Sequence, residues 1–190
     1  MSKEKRIVFV TSSKNKCEEA QAILSNWIIE QSEVNLPEIQ SLESAEVVRT
    51  KIEAGKLVVD GPFFVEDTSL HLSCLKGRLP GPMVRLFLLA IGREGISELC
   101  YRMGGNFGAE VRATIGYYDG KDLTVIFQGA IKGKITRPRG ESNFGWDSIF
   151  VPEGSEETFA EMGQVEKNKI SHRKVVLDKF KNFLDNELKG

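Results

Sequence analysis

Cysteine is scarce in this chain: Cys17, Cys74 and Cys100 are the three, widely separated and without a Cys-x-x-Cys pair. That spacing argues against a disulfide framework and against a cysteine zinc site, so the thiols read as small core or surface residues. An excess of either charge is also missing. Lys and Arg total 26 against 27 Asp and Glu, which speaks against a surface built for nucleic acid or membrane and makes any affinity for phosphate local. Long apolar runs are absent too, since the longest, Leu86 to Ile91, cannot span a bilayer. The N-terminal MSKEKRIVFV has too few apolar residues before Thr11 for a signal-peptide core. A cytoplasmic protein, bound to neither membrane nor nucleic acid, is expected.

What is present suffices for one substantial core. The 190 residues are 41% hydrophobic and 28% charged, long enough for a single domain over 1–190 and short for two independent ones. The stretch PFFVEDTSL, Pro62 to Leu70, organises the rest. Phe63, Phe64 and Val65 favour a buried strand. They deliver two adjacent acids, Glu66 and Asp67, to a strand end, where open α/β sheets keep their ligand crevice. Acids there suit a metal and a general base, or they cap an ordinary turn.

Around this strand the pattern predicts a strand at Arg6–Val10 and a helix over Glu18–Ile29, where Ala20, Ile23, Leu24, Trp27 and Ile28 fall at helical spacing. A strand or extended segment is expected near Val34–Leu36, a helix over Ala45–Val58 and a rigid turn at Gly77–Pro82. A buried helix at Met83–Ile91 and a short helix at Glu94–Met103 follow. Alternation from Ala109, the Asp119-Gly120 turn signal and a return through Leu123–Ile135 predict a long β-hairpin that extends the sheet into a second lobe. His71 reads as a structural histidine. The last helix presents Val176, Phe180, Phe183 and Leu184 as a packing face.

Several blocks carry chemistry. TSSKNK, between the first strand and helix, offers serine caps with Lys14 and Lys16 beside a helix start, a plausible anion site although no P-loop pattern is present. Glu38 after Pro37 is a lone acid. Phe144 and Trp146 flank Gly145 and precede Asp147, giving flat faces beside a hydrogen-bonding acid. Lys167, Lys169, Ser171, His172 and Arg173 concentrate donors at the start of the last helix. Together these describe a magnesium-dependent nucleotide site.

In order and spacing, the blocks TSSKNK, LPEIQ, FVEDTSL with LKGRLPGP, FGWDSIF, and FAEM with EKNKISHR resemble the inosine triphosphate pyrophosphatase family. The resemblance runs from about Ile7 to the final helix. It implies an elongated mixed α/β sheet flanked by helices, two lobes with a central cleft, a homodimer, and Mg²⁺-dependent cleavage of ITP, dITP or XTP to the monophosphate and pyrophosphate. Carried over by position, it implies phosphate contacts at Thr11, Ser12, Ser13 and Lys16, and a metal at Glu38 and Asp67 with Glu66 assisting. Asp67 also becomes the water-activating base. Lys51, Thr68 and Arg85 become substrate contacts, Phe144, Gly145, Trp146 and Asp147 the base-binding segment, and Lys167, Ser171, His172 and Arg173 the remaining contacts.

Two positions depart from the family pattern. Ser13 stands where asparagine is usual, keeping a hydroxyl and losing an amide that both donates and accepts. Arg85 stands where some relatives have lysine, substituting a planar fork for a point charge. Discrimination is expected from a His172 or Arg173 donor that pairs with a purine 6-oxygen and opposes adenine's amino group. The competing readings are a Maf-like pyrophosphatase for modified nucleotides, a nucleotide-binding protein without turnover, and a ligand-free structural domain.

Overall fold

The computed structural model describes residues 5–142 and 144–187. At its centre is the run singled out above: β3 (Phe63–Leu72) is buried at every position except Thr68, as a strand covered on both faces must be. On one edge β3 lies parallel to β1 (Arg6–Val10), which lies parallel to β2 (Ile28–Ser32). On the other it is antiparallel to β5 (Gly108–Tyr118), followed by β6 (Thr124–Ile135) and β7 (Phe150–Pro152). The short β4 (Pro80–Gly81) pairs with the far end of β3, completing a mixed seven-stranded sheet of order β2-β1-β3-β5-β6-β7. The expected α/β class, a mixed sheet flanked by helices, is what the chain forms.

Among the described residues five α-helices pack on it: α1 (Lys14–Ile23), α2 (Ser44–Gly55), α3 (Val84–Arg102), α4 (Phe159–Ile170) and α5 (His172–Glu187). Because side chains alternate along a strand, Phe64, Glu66, Thr68, Leu70 and Leu72 share one face of β3. Over Phe64, α1 and α5 close a core with Phe9, Leu24, Ile115, Val176 and Phe180. Over Leu70 and Leu72, α3 and α4 close a second with Ile96, Val111, Ile149, Phe150 and Phe159. Glu66 lies between the two. On the opposite face α2 sets Val48 and Ile52 against Val10, Phe63 and Val65.

Four expectations need correction. The first helix ends at Ile23, and Ile28 instead starts β2, paired with Arg6. The Gln21 amide fixes that turn, donating to Trp27 O at 2.8 Å and accepting from Ile29 N at 3.0 Å. No strand forms at Val34–Leu36, because the register with β1 ends at Ser32. The Met83–Ile91 run is helical but not buried: Leu86 is 51% exposed, Leu89 75% and Ile91 44%. The helix expected at Glu94–Met103 is the continuation of α3 beyond a break at Gly92, whose φ of 68° and ψ of −176° suit glycine alone.

Candidate functional site

The site follows from a gap in strand pairing. β1 meets β3 only at Phe63 and Phe64, and β4 meets it only at Leu70 and His71, so Glu66, Asp67 and Thr68 have no strand beside them on that edge. A cleft of about 280 Å³ opens there. Thr11, Ser12, Ser13 and Lys16 enter it from the end of β1 and the first turn of α1, and Lys51 enters from α2. Glu38, Arg85, Leu88, Gly145 and Trp146 are among the residues of the other walls. A larger cavity of about 610 Å³ lies on the polar sheet face around Arg112, Lys132 and Lys134 and contains none of the expected site residues.

The α1 end of the cleft suits an anion. Ser13 is the helix cap, its Oγ accepting from Lys16 N at 3.3 Å while its own N–H donates to Thr11 Oγ1 at 3.1 Å. The hydroxyl in the asparagine-type position therefore still performs the capping, and the free amides and positive end of α1 point where phosphate would lie. Burial lowers the Lys16 ammonium pKa, and Glu66 stands 3.4 Å from it.

Asp67 faces the other way, toward α2. Burial pushes its carboxyl up to about 6 against the pull of Lys51, Lys16 and Ser44. Its Oδ2 is buried without a hydrogen-bond partner among the described residues. The Lys51 ammonium lies 2.7 Å from Glu38 Oε1 and 3.8 Å from Asp67 Oδ1, so it brackets the two carboxylates. Burial opposes ionisation of Glu38, but the bond from Lys51 outweighs it and holds that carboxyl low. No group of three or more acids, histidines or cysteines is placed to hold a metal ion among the described residues. Magnesium characteristically takes one or two carboxylates and completes its shell with phosphate oxygens and water, and Glu38 with the orphaned Asp67 oxygen fits that requirement.

Glu66 does not join them. It belongs to a buried layer between the two cores, where Arg173 reaches it through Nε at 2.9 and 3.1 Å and through Nη2 at 2.9 Å. Burial alone would raise the Glu66 carboxyl, yet Arg173 and Lys16 outweigh it and hold it at about 2. Arg173 Nη1 donates to Glu19. Lys167 Nζ lies 3.2 Å from Glu19 Oε1 and 2.7 Å from Asp147 Oδ2. Asp147 itself is pushed up by burial despite Lys167.

These contacts change the base-side expectations. All three nitrogens of Arg173 donate to carboxylates, which fixes its guanidinium in the buried layer. Phe144 lies over both cations, its ring 4.2 Å from Lys167 Nζ and 5.0 Å from Arg173 Cζ. His172 is different: its ring sits between Trp146 and Phe159, each 6.3 Å away, and neither nitrogen has a partner among the described residues. Burial lowers its pKa well below the usual value, so the imidazole is neutral. Ser171 caps α5, accepting from Lys174 N at 3.1 Å. Glu19, which the sequence reading passed over, joins Lys167 and Arg173; its one signal was its place three residues after Lys16 on the same helix.

The sequence profile of the Ham1 family matches residues 7–183. A protein of Emericella nidulans named inosine triphosphate pyrophosphatase is 41% identical over 97% of this chain and 99% of its own length. One of Thermococcus kodakarensis named dITP/XTP pyrophosphatase is 42% identical over 97% of this chain and 100% of its own. The Ham1 protein of Staphylococcus aureus superposes with a TM-score of 0.80 at 23% identity, covering 96% of this chain and 100% of that one.

Proposed function

The chain belongs to the Ham1 family, and from that premise we propose that it is a hydrolase of acid anhydrides. It converts ITP, dITP and XTP to the nucleoside monophosphate and pyrophosphate, removing non-standard purines from the nucleotide pool. The observation that carries this reading is the unpaired edge of β3. It brings Asp67, with its partnerless Oδ2, into one cleft with the α1 phosphate loop, and the Trp146 wall of that cleft backs onto His172.

Glu38 and Asp67 would hold Mg²⁺, which when bound offsets triphosphate charge and polarises a phosphoryl oxygen. The chain's own groups divide the remaining work. Ser12, Ser13 and Lys16 bind phosphate oxygens, and Lys51 and Arg85 stabilise the pyrophosphate that leaves. Asp67 takes a proton from the attacking water. Trp146 and Phe144 supply faces for the purine, and neutral His172 donates to its 6-oxygen. Adenine would set an amino donor against that donor, leaving a buried group unpaired. A cytoplasmic homodimer accompanies this reading, and the exposed Leu86, Leu89 and Ile91 on α3 support the dimer; sedimentation by analytical ultracentrifugation at twice the monomer mass would test it.

Pyrophosphate release from ITP, dITP, XTP, GTP and ATP, with and without Mg²⁺, tests the activity. The first three should exceed ATP by about 100-fold in kcat/KM, and chelation should abolish turnover. A preference for modified pyrimidine triphosphates would identify a Maf-like enzyme instead, and ITP binding without turnover at any Mg²⁺ level a non-catalytic binder.

A further inference from the structure

Arg93 is the first residue after the Gly92 break in α3, and its guanidinium reaches away from the helix to the loop that carries the base-facing aromatics. Nε donates to Gly145 O at 2.7 Å and Nη2 to Ser142 O at 2.8 Å. Those carbonyls bracket Phe144 and directly precede Trp146 and Asp147. Within the loop, Ser142 Oγ accepts from Phe144 N at 3.0 Å and donates to Asp147 Oδ2 at 3.3 Å, and Asp147 N donates to Phe144 O at 3.0 Å. These bonds shape the loop but do not tie it to α3. Arg93 does, and Leu88 from the same helix lies 3.7 Å from where a Gly145 Cβ would stand.

We propose that Arg93 is a positioning residue for base recognition: its two-pronged grip sets the distance between the α3 wall of the cleft and the Phe144–Asp147 wall, and so the width of the slot that admits a purine. The inference rests on the purine triphosphate reading above. Arg93 is itself absent from the lining of the cleft and reaches it only through the loop whose Gly145 and Trp146 form the wall across from Leu88 and Arg85, away from the α1 loop and Lys51, so its effect is expected on the base more than on the triphosphate. A planar fork suits two carbonyls better than an ammonium, so lysine restores part of the grip and glutamine little of it.

The test compares Arg93→Gln and Arg93→Lys with the parent enzyme in kcat and KM for ITP and ATP, and in inhibition by inorganic tripolyphosphate, which has the phosphates without a base. Arg93→Gln should raise the ITP KM about tenfold with kcat within about twofold. The preference for ITP over ATP should fall, tripolyphosphate inhibition should hold, and Arg93→Lys should lie between. Equal weakening of ITP and tripolyphosphate, or a lowered Tm with an unchanged ITP KM, would overturn the inference. A parent enzyme that releases no pyrophosphate from ITP would overturn the proposed activity, and this inference with it.

Discussion

At the residue scale, Glu66 and Asp67 are chain neighbours with opposite fates, and strand geometry is the reason. A two-residue period sends them to opposite faces, one into the ionic layer with Arg173 and the other toward Lys51 and the cleft. Their ionisation differs accordingly, about 2 for Glu66 and about 6 for Asp67. A carboxyl raised above its unfolded value contributes stability at low pH and loses it as pH rises through the folded value, so ionised Asp67 is a burden on the fold at neutral pH. Asp67→Asn should therefore leave Tm unchanged or higher while kcat falls by about 10²- to 10⁴-fold. Thermal unfolding and pyrophosphate release on one preparation would check both, and a variant with near-parental kcat would remove Asp67 from the chemistry. The acids, Lys16 and the FGWD block were legible in the sequence because motif and spacing mark them. The partners of Arg173 were not, since Glu19 and Glu66 lie 154 and 107 residues away from it, and no local pattern encodes that meeting.

Among the elements, the junction of α5 with β6 decides whether the base site exists. α5 begins at His172 and crosses β6 at Gly129, where an added Cβ would stand 2.5 Å from Val176 N and 2.6 Å from His172 O. Those neighbours are backbone atoms and cannot swing aside. Gly129→Ala should push the first turn of α5 from the sheet, lowering Tm and raising the ITP KM, whereas Gly154→Ala, a residue with no atom within 4 Å of its would-be Cβ, should leave that KM alone. An unchanged ITP KM in Gly129→Ala would mean that α5 is not held by this contact. The hairpin of β5 and β6 was readable because alternation and the Asp119-Gly120 turn agree. The end of α1 was not: Trp27 and Ile28 continue its helical spacing by coincidence, and the pairing of Ile28 with Arg6 overrides it. The apolar stripe of α3 likewise suggested burial, because hydropathy says that a face is apolar and not what covers it.

For the whole molecule, the two cores on one sheet face are divided by charge. Glu66, Glu19 and Asp147 face Arg173 and Lys167 where a continuous apolar core would otherwise run from Phe64 to Leu70. Replacing a buried ion cluster by apolar residues of similar volume is often neutral or stabilising, whereas removing one member leaves an uncompensated charge. The layer is therefore better explained by the polar slot it frames than by stability. Its pH dependence follows from sign. Glu66 is held at about 2 against 4.5 for an ordinary glutamate, so its contribution is complete above 4.5 and is lost as pH falls toward 2, about 3 kcal/mol for that carboxyl. Asp67 acts oppositely between 3.8 and about 6, so the window below 3.8 is free of its contribution; Glu38 and Asp185, also held below the ordinary carboxylate range, titrate there in both proteins, and the layer is read from the difference between parent and variant. Urea unfolding of the parent from pH 5 to 2.5 should show that fall, and the paired change Glu66→Met with Arg173→Met should flatten it while Glu19 keeps Lys167 as its partner. The double variant should stay folded at pH 7 and lose ITP turnover. If it unfolded at pH 7, the charges would be holding the cores together and not keeping a slot open between them, and an acid limb matching the parent's would mean that Glu66 does not carry the loss of stability in acid.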